Sequence, residues 1–134
     1  MSPTIYLDSS AIVKLVLQES GWQALEMYLR DHPSRSASRI ATVEVRRALA
    51  RVDGLDRVAL TARLRLALRG LTIIEFDAQV ASAAAELRPA TLRSLDAIHL
   101  ATARELGNDL IAVVTYDARM MAAAANLQIP IASP

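Results

Sequence analysis

The chain has 134 residues, a formal net charge of +1, 53% apolar and 22% charged residues, and no cysteine. That is enough sequence for one domain, residues 1–134, with a core that buries most of its apolar surface, and it excludes disulfides and thiolate metal sites. No apolar run reaches the ~18 residues of a membrane span and no leader pattern precedes the first strand, so the expectation is a soluble protein of the cytoplasm.

Thr4-Ile5-Tyr6-Leu7 reads as a short buried strand, ending abruptly in Asp8-Ser9-Ser10. Ser9 or Ser10 is placed to cap the next helix, Ala11 to Gln18, which runs out near Glu19-Ser20-Gly21. A second helix spans Trp22 to Arg30 with Leu25, Met27, Tyr28 and Leu29 inward, and Pro33 stops it. Ser36-Ala37-Ser38 is a candidate short strand. Ile40 to Val52 is a helix with Val45, Ala48, Leu49 and Val52 on one stripe. After a turn at residues 53–56, Arg57 to Arg69 is another amphipathic helix. Leu71 to Phe76 reads as a strand, Asp77 as the cap of a helix through Leu87, and Ser94 as the cap of a helix from Leu95 to Leu106. Leu110 to Thr115 is continuous and rich in β-branched residues, hence a central parallel strand. Tyr116-Asp117 starts a last helix to Asn126, and Ile129-Pro130-Ile131 is a terminal edge strand. Strands alternate with helices throughout, which predicts an α/β fold: a parallel sheet with helices on both faces.

Charge is unevenly spread. Arg30 to Gly70 holds ten arginines against Asp31, Glu44, Asp53 and Asp56, a local charge of +6. Arg46, Arg47 and Arg51 fall outside the buried stripe of their helix, as a polyanion-binding face requires and as a plain solvated face equally allows.

The acids carry more chemistry. Asp8 and Asp117 each follow a buried strand, which places both on one edge of a parallel sheet, where ligands bind in open α/β folds. Asp96 lies in a helix that is apolar on almost every side, and an unpaired buried charge is costly. Glu44 and Asp96 read as acids in the first turns of their helices, able to face the strand-end pair. Simple capping and helix-dipole roles account for each acid separately. Converging carboxylates, however, repel unless something positive lies between them. His32 and His99 have no zinc-ligand spacing, so that charge is Mg²⁺ or Mn²⁺, hard ions that take oxygen ligands.

Four stretches in this order, IYLDSSAIVKL, ATVEVRRAL, RSLDAIHLATA and VVTYD, resemble the PIN-domain ribonucleases and, among them, the VapC toxins of bacterial toxin–antitoxin pairs. The resemblance spans nearly the whole chain, and its first and third stretches are the specific ones. It implies a three-layer α/β/α sandwich around a central parallel sheet of four or five short strands. It also implies metal-dependent endonuclease activity on RNA, a homodimer, and an antitoxin protein as partner. Asp8, Glu44, Asp96 and Asp117 fall on the family's acidic quartet. Ser9 falls where a hydroxyl follows the first acid, and Thr115 where one precedes the last.

In this chemistry a carboxylate-held metal lowers the pKa of bound water and clamps the phosphate oxygens, so no covalent nucleophile is needed. Asp8 and Asp96 are the expected direct ligands. Glu44 and Asp117 bind a second ion or hold and orient water, with Ser9 and Thr115 as supporting hydroxyls. His99, one turn from Asp96, reads as a packed or hydrogen-bonded histidine rather than a base. Two other readings remain at this point. One is a PIN-like module that docks RNA or protein without cutting. The other is a phosphoacceptor receiver domain, which Ser9-Ser10 fits less well, since receivers carry adjacent acids after the first strand.

Overall fold

A computed structural model describes residues 2–134; Met1, the first residue of the expected domain, lies outside them. The elements follow the alternation read from the sequence: β1 (Thr4–Leu7), α1 (Ser9–Leu17), α2 (Trp22–Asp31), β2 (Arg35–Ser38), α3 (Arg39–Ala50), α4 (Arg57–Arg69), β3 (Thr72–Ile74), α5 (Ala78–Glu86), α6 (Ser94–Arg104), β4 (Leu110–Val114), α7 (Ala118–Asn126) and β5 (Ile131–Ala132).

The five strands form one sheet in the order β3-β2-β1-β4-β5, and every neighbouring pair is parallel. β1 is therefore central. The chain builds outward from it to β2 and β3, then returns to the other side for β4 and β5. β1 and β4 flank the point where the strand order reverses, and a crevice opens there at their carboxyl ends. β4 was expected in the centre; it lies one place off it, between β1 and β5.

Successive strand residues point to opposite faces, and all four residues of β1 are buried because both of its faces are covered. Ile5 and Leu7 pack with Ile12, Leu25, Val45 and Leu60 from α1–α4. Tyr6 packs on the other side with Leu100 of α6, Val113 of β4 and Met120 of α7. No helix among the described residues is long and apolar enough to cross a membrane.

Some local expectations give way. Asp8, not Ser9 or Ser10, caps α1, because its carboxylate reaches the amide of Ala11. Gln18 rather than Gly21 closes that helix, in the left-handed conformation, and Gly21 (φ 86°) instead leads into α2. Met27 is 64% exposed: the buried stripe of α2 is Leu25 and Leu29, one turn apart, and residue 27 falls on the opposite side. Ser94 is the first residue of α6 and provides no side-chain cap.

Candidate active site

Asp8 leaves β1 in extended conformation and is 3% exposed. Its Oδ1 accepts from the Ser10 hydroxyl at 2.6 Å and from the Ala11 amide at 3.1 Å. Its Oδ2 accepts from the Thr115 hydroxyl at 2.5 Å. Thr115 stands immediately after β4, so this bond crosses the reversal point between the two strands. Two further bonds tie the edge together: the Tyr116 amide donates to Ser10 Oγ (2.9 Å) and the Asp117 amide to Thr115 Oγ1 (3.1 Å). The supporting hydroxyl on the β1 side is thus Ser10's, while Ser9, expected in that role, lines the neighbouring cleft. Burial pushes the Asp8 carboxyl above the usual carboxylate range, and the bonds from Ser10, Thr115 and Ala11 oppose it only in part.

Asp96 is the third residue of α6, near the helix N-terminus, and is 8% exposed. Among the described residues no side chain or amide donates to its carboxylate. Burial raises its pKa first and the charge of Asp117 second; Arg93 and His99 act against this, and Glu44 adds to it. Asp96 therefore lies within the electrostatic field of Asp117 and of Glu44. Asp117 also caps α7, accepting from the Arg119 amide at 2.9 Å, so the capping role and a place in the acidic group hold together.

Glu44 is not a first-turn acid, because α3 begins at Arg39 and places it in mid-helix. Its Oε1 lies 2.6 Å from Nε2 of His99, which is 2% exposed; the other ring nitrogen lies 2.6 Å from the Tyr6 hydroxyl. Nothing in the sequence spacing linked residue 44 to residue 99; the only hint was a histidine on an otherwise apolar helix. Glu44 opens with Ser9, Ser10, Arg51 and Tyr116 onto a cleft of about 370 Å³.

The arginines do not form one face. Arg51 shares the cleft with Glu44, whereas Arg46 borders a separate groove between α3 and α4, and Arg47 is exposed. Several others are already engaged. Arg57 donates to the Leu49 and Val52 carbonyls at the end of α3. Arg35 donates to the Leu29 and His32 carbonyls at the end of α2. Arg30 pairs with Glu26, and Arg39 with Glu75.

A divalent cation sets its own requirements on the donors. Among the described residues no three carboxylate or imidazole groups stand close enough to hold one ion between them. Magnesium does not demand that: it keeps several waters and is bound through one or two carboxylates together with substrate phosphates. Asp96 has no protein donor, and Asp8 Oδ2 accepts a single bond and retains acceptor capacity. Two buried carboxylates, one without a protein donor and one with acceptor capacity left, fit that ion.

Known proteins are similar to this chain in sequence and in fold. The model of the PIN domain family matches residues 5–126. Ribonuclease VapC46 of Mycobacterium tuberculosis is 46% identical over 131 residues, 97% of each chain. Ribonuclease VapC47 of the same species is 37% identical over 134 residues, 97% of this chain and 96% of that one. Among solved structures, M. tuberculosis VapC20, described as a sarcin–ricin loop cleaving toxin, superposes with a TM-score of 0.72 at 18% identity, covering 97% of this chain and 99% of that one. VapBC2 from Rickettsia felis, bound to a DNA fragment from its promoter, gives 0.71 at 15% identity, covering 96% and 97%.

Proposed function

The chain belongs to the PIN-domain family and within it to the VapC proteins, and from that membership we propose that it is a divalent-metal-dependent endoribonuclease, the toxin of a toxin–antitoxin pair. The observation that carries the reading is the acidic edge itself: Asp117 and the buried Asp8 follow the two strands that flank the reversal point, and buried Asp96 lies in the field of Asp117 and Glu44. A module that only docked RNA would gain nothing from placing acids where they repel phosphate. The receiver reading loses its basis, since the PIN family model covers residues 5–126.

Asp8 and Asp96 would hold Mg²⁺ or Mn²⁺, which supplies an acidified water and neutralises charge on the scissile phosphate. Thr115 and Ser10 fix the Asp8 carboxylate so that it need not reorganise when the substrate arrives. Glu44 and Asp117 border the site and suit binding a second ion, holding the metal's waters or orienting the attacking water. Purified protein, freed of any partner, is expected to cut RNA with Mg²⁺ or Mn²⁺ and to stop when chelator is added. Cleavage that continues undiminished in excess chelator would remove the metal from the mechanism.

Arg51 is the arginine best placed to meet an RNA phosphate near the acids. Arg51→Ala should flatten the dependence of log K on log salt by roughly 0.7 for each phosphate the protein no longer neutralises, while Arg46→Ala should alter it less. Equal effects of the two would return RNA binding to diffuse attraction.

The reading includes a homodimer in the cytoplasm and a cognate antitoxin protein. An acidic pocket is a natural receptor for an Arg or Lys side chain, which pairs with carboxylates and excludes the metal. The complex should weaken when Asp96 is neutralised, and a double-mutant cycle between Asp96 and the inserted basic residue should give clear coupling. A coupling energy near zero would mean that the antitoxin inhibits by steric cover.

A further inference from the structure

Among the described residues His99, like the Tyr6 phenol bonded to it, is a buried titratable side chain that the proposed mechanism leaves without a task. Its ring is sandwiched between two polar partners on different elements: the Tyr6 hydroxyl of β1 at 2.6 Å from Nδ1 and Glu44 Oε1 of α3 at 2.6 Å from Nε2. The Tyr6 and His99 rings meet edge to face, with centroids 5.9 Å apart. Tyr6 is fully buried with its hydroxyl 2.6 Å from Nδ1, and a phenol in its ordinary protonated form has an O–H to give, so the phenol is the donor to Nδ1. With Nδ1 accepting, the ring proton sits on Nε2 and is donated to Glu44.

This chain of bonds ties together three of the four elements that carry the acids, β1, α6 and α3. Tyr6 lies two residues before Asp8, His99 lies one turn after Asp96 on α6, and Glu44 is itself a site acid. A glutamate on an exposed helix face samples several rotamers; this one has one oxygen fixed to an imidazole that is in turn fixed to the central strand. The other oxygen remains for the cleft, which Glu44 shares with Ser9, Ser10 and Arg51.

Resting on the ribonuclease reading, we propose that His99 is a positioning residue for that activity: locked by Tyr6, it aims the Glu44 carboxylate at the acidic edge and sets the spacing of Glu44 from Asp8 and Asp96. It is not a proton carrier for the reaction, since it faces Glu44 and the core and does not line the cleft. Metal ligands are commonly held in place by such outer partners, whose loss costs about 10- to 100-fold in metal affinity or activity.

The test uses Mn²⁺ alone, titrated calorimetrically into the full-length protein, with RNA cleavage measured in parallel. His99→Leu is expected to weaken Mn²⁺ binding by about 10-fold or more and to lower kcat with little change in KM. His99→Gln, which keeps an amide donor for Glu44, should recover most of both. Because Leu leaves the phenol unpaired, the double variant Tyr6→Phe/His99→Leu is included to restore folding; its Mn²⁺ affinity should stay low. In a Glu44→Ala background, His99→Leu should have no further effect. Two results would overturn the proposal: His99→Leu binding Mn²⁺ as the parent does, or its penalty persisting undiminished without Glu44, which would make the imidazole a packing element only. A parent protein that binds no Mn²⁺ fails the metal reading itself and the proposal with it, whereas tight parental binding with indifferent His99 variants fails only the proposal.

Discussion

Replacing Asp8 or Asp96 by Asn should lower RNA cleavage by at least about 100-fold, the upper end of what removing a mere supporting partner of a metal costs, while the fold survives. Asn is nearly isosteric with Asp and caps helices equally well. At residue 8 its carbonyl can still accept from Ser10 and the Ala11 amide, while its NH₂ meets Thr115, whose hydroxyl can turn toward Ser10 Oγ, 3.5 Å away. At residue 96 no hydrogen bond is removed, and repulsion from Asp117 and Glu44 is relieved. Both carboxyls titrate above their ordinary range because they are buried. A raised native pKa means the folded state holds its proton where the unfolded chain has lost it. Their contribution to stability is thus fully present below the ordinary carboxylate value of about 3.9 and is lost as pH rises through the native values. Metal-free Asp8→Asn and Asp96→Asn proteins should therefore be as stable as the parent or more so near neutrality, and the advantage should shrink on acidification. Thermal unfolding across pH, paired with cleavage assays, checks this. An Asn variant that unfolds would make that acid a structural one, and one that cuts at the parental rate would remove it from the site.

Asp8→Ala should behave differently, losing about 2–4 kcal/mol of stability along with activity. Removal of an N-cap costs about 1 kcal/mol. The Ser10 and Thr115 hydroxyls lose their common acceptor in a buried place, which costs about 1–3 kcal/mol more. The carboxylate is at once the start of α1, the tie between β1 and β4, and a metal ligand in the proposed mechanism. Comparing Asn with Ala in chemical denaturation separates these duties: Asn removes the charge, and Ala removes the acceptor as well. Equal stability of the two variants would mean that the bonds across the reversal point contribute little.

The order and kind of the elements were legible in the chain because they follow from local pattern. Thr4 to Leu7, β-favouring and ending in Asp8, reads as a strand and a turn, and Leu110 to Val114 reads as a strand because it is continuously apolar and rich in β-branched residues. The acids were visible for the same reason, as charges where burial was expected. The sequence also suffices to place the chain in its family, since the stretches around Asp8 and Asp96 are contiguous.

Tertiary structure alone decided how those pieces meet. Strand order put β1 rather than β4 in the centre and brought Thr115 to Asp8, 107 positions apart. No local rule carries that information, because a parallel strand can take any neighbour its crossover reaches. The choice of Ser10 over Ser9 depends on which hydroxyl turns back toward the carboxylate once α1 starts at the cap. The arginine segment looked continuous in sequence but divides in space, because helical rotation sends Arg46 and Arg51 to different grooves while Arg35 and Arg57 close helix ends. The pairing of His99 with Glu44 and Tyr6 joins three elements that touch only after the sheet has formed, since a hydrogen bond of 2.6 Å is fixed by packing and not by spacing along the chain.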